Sequence, residues 1–504
     1  MLRHIIVQAG GKGTRMESLT ANKPKALVPV NNLPMIFHLF RKFPDKKFIV
    51  IGDYKYDVLE KYLDAFADVD YKMVCATGGE GTCAGMSEAI ALIPEGTPFL
   101  ITWCDLVLPE DYELPETSSD VIGISKDFPC RWKYEDGVFE EERSSEFGVA
   151  GFFIFQDKSA IADVPKEGEF VRWLKSKKLT FEPQALYKTH EYGLKSEWDK
   201  LGTSKCRPFN SMRIEGDKIY KIPVDKQGED LAKREIAWYK KLQGVRFKNL
   251  PFIYEYEPLC MELINGKNIY EYDDIDTLKK ADILKQIVDC LKSVHDIESV
   301  PADRDSYYEA YIDKTFDRLS KIQELVPFAK DEFITVNGKK CKNVFFCREA
   351  LEKDVMSYMP ESFYLIHGDC TFSNMMLKDD TTPVLIDPRG YFGKTELYGD
   401  VAYDWVKLYY SLYSNYDRFN LKKFDLKINE TDVDLSIESN NWEDMEDKFF
   451  ELIGGEVSKK QMRLLLSIIW LSLTTYAWED YDSICGAFYN GIYYLEEAFD
   501  EYSI

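Results

Sequence analysis

No pair of cysteines spaced C-x-x-C occurs in this chain of 504 residues, although it holds 11 cysteines. Scattered singly, they exclude a zinc ribbon or a disulfide-stapled scaffold and read as reduced thiols of a cytoplasmic protein, most of them small core residues. Positive charge is also in deficit: 64 Lys and Arg stand against 87 Asp and Glu, a net charge of -23. That excludes a broad phosphate-backbone footprint for nucleic acid and leaves anionic ligands to local sites. No apolar run reaches bilayer length; the longest, Leu464 to Trp478, is broken by Ser467, Ser472, Thr474 and Thr475 and reads as a buried helix. The opening MLRHIIVQAGG is too short for a signal h-region and lacks a small-residue cleavage site. Nor is any stretch poor enough in apolar residues to be disordered, with 45% hydrophobic and 30% charged residues overall. Internal repeats and flexible linkers are absent too.

The length exceeds one ordinary hydrophobic core, which predicts two domains. In the first part, short apolar strands alternate with amphipathic segments: HIIVQAG, PMIFHLFRKF, KKFIVIG, YDVLEKYLDAF, YKMVCATG, GMSEAIALI, PFLITWCDL. This alternation marks βαβ units and a mostly parallel sheet. Texture changes near residue 205. FNSMRIEGDKIYKIPV predicts an antiparallel hairpin turning at Gly216 and Asp217, followed by the helix LAKREIAWYKKL. A strand pair in FIYEYEPLCMELING and a helix from about Asp276 to His295 come next. Beyond residue 400 the pattern is largely helical, apart from an acidic, Asn-rich stretch at about 415 to 445.

The first constellation follows the first strand immediately: AGGKGTRMESLTANKPKALVPV, residues 9 to 30. Gly10, Gly11 and Gly13 let backbone N–H groups approach a triphosphate, and Arg15 and Lys25 add fixed positive charge. With KPKALVPV at this distance, the segment resembles the sugar-1-phosphate nucleotidyltransferase family, a likeness extending over residues 1–205. The resemblance implies an α/β Rossmann-like domain in which Arg15 and Lys25 neutralise phosphates during attack on the α-phosphate. GEGTCAGMSEAI, with Gly81, resembles the family's base-contacting loop. ITWCDL places Asp105 where the family holds Mg2+, at the carboxyl edge of a parallel sheet where such folds bind ligands. A plain turn carboxylate is the alternative. Two departures stand out. Where the family has its second aspartate, EWDKLGTSK has Lys200, leaving Asp199, one residue earlier, as the candidate second ligand or a surface carboxylate. The family's Glu-Lys-Pro element is missing, with Arg143 in EERSSEFGVAGFFIF instead, so the acceptor can differ from a simple hexose phosphate.

The second constellation is HGDCTFSN, residues 367 to 374, followed by LIDPRG. A kinase needs one carboxylate to orient and deprotonate the acceptor hydroxyl, and an amide oxygen with a second carboxylate to hold Mg2+ on the ATP phosphates. Asp369, Asn374 and Asp387 supply these in order, and a hairpin in MMLKDDTTPVLI would bring Asn374 beside Asp387. The region resembles the aminoglycoside phosphotransferase and choline kinase family over residues 206–504. That resemblance implies an α+β bilobal, protein-kinase-like domain with an N-lobe at about 206–270 and a helical C-lobe at about 271–504. By it Asp369 is the catalytic base, Asn374 and Asp387 are metal ligands, and His367 is structural. Lys221 in KIYKIP and Glu235 in LAKREIAWY fill the places of the strand lysine on the ATP phosphates and its helix partner. Asp400 and Asp404 in GDVAYDWVKL read as structural, as does His295. No Gly-rich loop precedes the lysine strand.

A kinase makes a phosphomonoester and a nucleotidyltransferase consumes one. Together they imply a bifunctional enzyme that phosphorylates a sugar or polyol with ATP and activates the product with a second NTP, CTP or UTP, for surface or capsule polysaccharide. Two alternatives stay open: a choline or amino-alcohol kinase fused to its cytidylyltransferase, or a chain in which one half is a non-catalytic regulatory module. Partners are small molecules, with homo-oligomerisation left open.

Overall fold

The computed structural model describes residues 2–76, 78–201 and 210–500. The change of domain read at 205 and the Gly202-Thr203 pair lie outside the described residues. The chain divides into two compact units, Met1–Gly202 with Trp478–Asp482, and Thr203–Ala477 with Ser483–Ile504.

The first unit is built on a nine-stranded sheet. Its strands are β1 (His4–Gln8), β2 (Lys47–Gly52), β3 (Asp70–Cys75), β4 (Phe99–Trp103), β5 (Val121–Ser125), β6 (Lys133–Glu135), β7 (Val138–Glu140), β8 (Gly148–Phe155) and β9 (Glu182–Leu186). They run in the order β7-β6-β8-β4-β1-β2-β3, with β5 on β8 and β9 on β5. β1 pairs in parallel with both β2 and β4, and β8 joins β4 antiparallel. Ile5, Ile6 and Val7 are wholly buried, as expected of a central strand covered on both faces, which needs a continuous apolar run rather than an alternating one. Helices α1 (Met35–Lys42), α2 (Tyr56–Phe66), α3 (Met86–Ala91) and α4 (Phe170–Lys177) complete the layers. The chain winds from β1 outward to β3 and then returns to β4 on the other side of β1. The crevice at the carboxyl ends of β1 and β4 is therefore the switch point where open α/β sheets bind ligands.

The second unit begins with β10 (Asn210–Glu215) and β11 (Lys218–Pro223), joined at Gly216-Asp217, followed by α5 (Lys226–Gly244), β12 (Ile253–Tyr256) and β13 (Leu259–Glu262). These strands form an antiparallel sheet ordered β10-β11-β13-β12. The α5 helix starts earlier than its apolar periodicity suggests because Asp225 caps it, accepting from Gly228 N at 2.7 Å. Asp276 likewise caps α6 (Thr277–His295). Then come α7 (Lys314–Ile322), the hairpin β14 (Met375–Lys378) and β15 (Thr382–Leu385), α8 (Val401–Leu412) and the buried α9 (Lys459–Leu473). The acidic stretch after residue 415 is not irregular throughout: Phe424–Ile428 and Val433–Ile437 pair antiparallel within a four-stranded sheet. Its alternation is diluted by Asp and Asn, which hides the period. Among the described residues no helix is long and apolar enough to cross a membrane.

Candidate functional sites

The first unit's crevice holds a cavity of about 660 Å³ lined by Gly10, Gly11, Gly13, Arg15, Lys25, Gly81, Trp103, Asp105 and Glu191. Two loops close it. After β1, Gly13 takes a left-handed φ of 63°, and a β-carbon there would lie 3.0 Å from the Lys25 Cβ. The other loop is tied to the end of β1 by Gln8 Nε2, which donates to the Thr82 carbonyl at 2.9 Å. In this loop Gly81 has φ 80°, and a β-carbon would sit 2.4 Å from the Gly168 carbonyl oxygen. Gly81→Ala is therefore expected to cost at least roughly 1–2 kcal/mol of stability from its backbone conformation alone, read by denaturant titration, with weakened nucleotide binding by calorimetry. A variant as stable as the parent would contradict this packing.

Asp105 lies just past β4 and is buried, and its carboxylate accepts a charged hydrogen bond from Lys25. Burial pulls the Lys25 ammonium down, but Asp105, then Cys104 and Glu191, outweigh it and hold the pKa above the ordinary lysine value. Arg15 lines the same cavity. The structure thus brings together every sequence-predicted residue of this half except Asp199. That residue ends a short helix, Lys195–Trp198, and its half-exposed carboxylate takes Lys195 at 2.9 Å. The i, i+4 spacing makes this a local surface pair.

A carboxylate that lines the same cavity and feels the Asp105 charge is Glu191. Leu106–Val107 pairs antiparallel with His190–Glu191, setting Glu191 opposite Leu106, and Tyr192 N donates to the Asp105 carbonyl at 3.1 Å. Burial raises the Glu191 pKa, the Asp105 charge adds to this, and Lys25 and Arg15 oppose it. Two neighbouring carboxylates that repel each other beside a phosphate-sized cavity suit Mg2+, which takes one or two protein carboxylates and fills its shell with phosphate oxygens and water. No group of three or more candidate metal-binding His, Cys, Asp or Glu side chains exists among the described residues. Sequence reading misses Glu191 because a two-residue strand carries no periodicity. A second cavity of about 670 Å³ shares Arg15, Arg131 and Glu191 with the first and adds Arg143, His190 and Lys200.

In the second unit, Lys221 on β11 donates to Glu235 on α5 at 2.7 Å and to Asp387 at 2.5 Å. Burial alone would lower the Lys221 pKa; Asp387 and Glu235 raise it instead, so the ammonium stays charged. Asp387 follows β15 with a left-handed φ of 53°, an uncommon conformation for a non-glycine residue that tends to occur at functional sites. The β14–β15 hairpin sets Ile386 N on the Asn374 carbonyl at 3.0 Å, and Asn374 Nδ2 donates to Asp369 Oδ2 at 3.0 Å. The amide nitrogen is spent on Asp369, which leaves the amide oxygen as the end for a cation beside Asp387.

Lys407 on α8, unmarked in the sequence, donates to Asp369 Oδ1 at 2.9 Å. Burial would raise the Asp369 pKa, but Lys407 and then Arg389 outweigh it and keep the carboxyl ionised. One turn earlier on the same helix, the buried Asp404 accepts from His367 N at 2.9 Å, Gly368 N at 2.7 Å and His295 Nε2 at 3.0 Å. Thus α8 both pins the loop and steadies its carboxylate. His367 is buried, accepts from Asp369 N at 3.2 Å through Nδ1 and so donates through Nε2 to the Ile386 carbonyl at 3.0 Å. It and His295 are packing groups.

The same loop rests on Asp417, whose buried carboxylate accepts from Ser373 N at 2.9 Å. Burial pushes its pKa up to about 6, against the Ser411 and Ser373 hydrogen bonds. A folded-state pKa above the unfolded value gives stability at low pH that is lost as pH rises through about 6. Asp417→Asn escapes that loss. Relative to the parent it should gain up to about 3 kcal/mol between pH 4 and pH 7.5, measured by urea unfolding at both pH values; a pH-independent difference would contradict the assignment.

Residues 5–114 match the family model of the MobA-like NTP transferase domain. The chain is 30% identical over 92 residues to the D-glycero-alpha-D-manno-heptose 1-phosphate guanylyltransferase of Campylobacter jejuni, covering 18% of this chain and 42% of that relative. It is 23% identical over 256 residues to a probable glucose-1-phosphate cytidylyltransferase of Bacillus subtilis, covering 43% of this chain and 98% of the relative. Among solved structures, the CTP:phosphocholine cytidylyltransferase of Streptococcus pneumoniae is similar at 18% identity and a TM-score of 0.34, over 40% of this chain and 98% of that one. The chain thus spans about two-fifths of the guanylyltransferase it matches. The N-terminal part carries an NTP transferase domain similar to sugar-phosphate nucleotidyltransferases.

Proposed function

We propose that the chain is a bifunctional enzyme: the domain of residues 206–504 phosphorylates a small hydroxyl compound with ATP, and the domain of residues 1–205 couples the phosphate to a nucleotide from CTP or UTP, releasing pyrophosphate. The observation that carries the first step is that Lys221 bonds Glu235 and Asp387, Asn374 bonds Asp369, and the hairpin joins the two sets through Ile386 N on the Asn374 carbonyl, at 2.5 to 3.0 Å. Lys221 neutralises ATP phosphates, Asn374 and Asp387 would hold Mg2+ to screen their charge, and Asp369 orients the acceptor hydroxyl and takes its proton as the oxygen attacks the γ-phosphate. Positioning and charge screening do most of the work.

For the second step, Gly10, Gly11 and Gly13 receive the triphosphate and Gly81 the base edge. Lys25 and Arg15 stabilise charge on the α-phosphate as the acceptor's phosphate oxygen attacks. Asp105, with Glu191 rather than Asp199 beside it, would hold Mg2+, which would supply positive charge against the departing pyrophosphate. The second cavity, with Arg143 in place of the missing Glu-Lys-Pro element, takes the acceptor phosphate. The nucleotidyl half of this reading is supported by the family match and the sugar-phosphate relatives, and the product suits the assembly of a surface or capsule polysaccharide. Pyrophosphate release with each of four NTPs and a panel of phosphomonoesters tests that half. Turnover by at least one pair, lowered by roughly 10²–10³ or more in Asp105→Asn, is expected; none above the variant would end the assignment.

A further inference from the structure

Around the Asp369 loop the second unit gathers positive charge that the phosphoryl donor does not account for. Lys314 and Arg318 stand at i and i+4 on α7, an arrangement of like charges that destabilises a helix unless something else needs it. Lys314 Nζ lies 3.4 Å from the Tyr403 hydroxyl. The Arg389 guanidinium donates to that hydroxyl at 3.0 Å and to the Tyr391 hydroxyl at 2.7 Å. Arg234 stacks over the Tyr391 ring at 4.2 Å. Lys407, 5.9 Å from the Tyr403 ring centre, ties the group to Asp369. Among the described residues none of Arg234, Lys314, Arg318 and Arg389 has a carboxylate within ion-pair distance; Lys314 and Arg389 share the Tyr403 phenol, Arg234 and Arg389 share Tyr391, and Arg318 donates to the Ser472 carbonyl and lies over the Tyr476 ring.

The electrostatics agree with this geometry. Burial lowers the Lys314 pKa well below the ordinary value, and Arg389, Arg318 and Lys407 lower it further. Burial would raise the Tyr391 phenol, yet Arg389, then Arg234 and Arg318, hold it below its usual pKa. Lys221, the cation on the ATP side, is already committed to Glu235 and Asp387. A site for choline or another cationic alcohol would present carboxylates or bare aromatic faces; here the aromatic faces are occupied by Arg234 and Arg389.

We infer that the hydroxyl compound phosphorylated at Asp369 is itself an anion, bearing a carboxylate or a phosphate that Lys314, Arg318 and Arg389 receive. This rests on the kinase reading of the second unit. The γ-phosphoryl passes from ATP to the acceptor oxygen, ADP leaves, and the hydroxyl proton goes to Asp369; the anionic group only positions.

The test is ADP release by the full chain with Mg-ATP and matched acceptors: glycerol, glycerate and glycerol 3-phosphate; glucose, glucuronate and glucose 6-phosphate; and choline. An anionic member of a set should exceed its neutral counterpart in kcat/KM by at least about tenfold, the discrimination expected of charge-assisted hydrogen bonds. The carboxylate and phosphate arms tell the two sources apart. Lys314→Met should raise KM for that acceptor at least about tenfold with KM for ATP unchanged, and Lys314→Arg should restore it. The unliganded Lys314→Met protein should melt no lower than the parent, since a like-charge contact is removed. Equal or faster turnover of glycerol, glucose or choline would overturn the inference and leave the kinase standing. A rise in KM for ATP in Lys314→Met would assign the cluster to the donor and overturn it as well. Absence of acceptor-dependent ADP release with every class would overturn the kinase reading itself.

Discussion

Asp369→Asn is expected to lower ATP-dependent phosphorylation of the acceptor by roughly 10²–10⁴, the usual contribution of a positioned general base, while nucleotidyl transfer onto a supplied phosphomonoester is unchanged. The substitution keeps the side chain's shape and its bond to Asn374, but removes the carboxylate proposed to accept the proton. It also strips Lys407 of its counter-charge. The parent holds the Lys407 ammonium charged because Asp369 outweighs burial, with Arg389 pulling the other way. Without the carboxylate, burial and Arg389 act unopposed by it; because the Asp369 side chain is 38% exposed, solvent screening holds the expected loss to about 1–2 kcal/mol. Affinity for Mg-ATP should hold, since Lys221, Glu235 and Asp387 are untouched. ADP release, nucleotide calorimetry and melting measured together separate these effects; loss of nucleotidyl transfer as well would show that the two sites are not independent.

Asp105→Asn is the matching experiment for the first unit. The isosteric amide keeps the packing of the turn after β4 yet abolishes the charge that Lys25 leans on and that Mg2+ would need. Burial then acts on Lys25 with less opposition, and its ammonium loses charge where the proposed reaction needs it against the α-phosphate. Both losses fall on the transition state, so pyrophosphate release should drop by roughly 10²–10³ or more, with phosphorylation by the second unit unchanged. Glu191→Gln should weaken Mg2+ binding in the same reaction, shifting the half-saturating concentration upward by roughly tenfold or more, while Asp199→Asn should leave it where it was. The reverse pattern would restore Asp199 and dismiss Glu191.

The contrast between those two carboxylates shows what the sequence could and could not reveal. Loops that follow buried strands carry their chemistry in contiguous letters, so Gly10 through Lys25 and Asp369 through Asp387 were readable as motifs. So were β1, the hairpin at Gly216-Asp217 and α6, where periodicity and turn residues agree. Glu191 reaches its place through a two-residue ladder with Leu106–Val107, a pairing that only the folded chain specifies. Lys407 was hidden for another reason: on an amphipathic helix a lysine at one register is indistinguishable from a solvated one until its neighbour is known. The cations around Tyr391 and Tyr403 come from α5, α7, α8 and the loop after Asp387, so no single stretch announces them. Asp199, left open in the sequence between a metal ligand and a surface carboxylate, closes a short helix that pairs it with Lys195, a local fold that the motif spacing does not announce.

The bifunctional account meets its most direct test in one vessel. The full chain, Mg-ATP, CTP or UTP and an unphosphorylated acceptor are incubated together and the products resolved by mass spectrometry, with Asp369→Asn and Asp105→Asn alongside. The parent should form the nucleotide conjugate with ADP and pyrophosphate, Asp369→Asn should form it only when the phosphorylated acceptor is supplied, and Asp105→Asn should stop at the phosphomonoester. A parent that makes conjugate from supplied phosphate but never from the free hydroxyl compound, across neutral, anionic and cationic acceptors, would contradict the account.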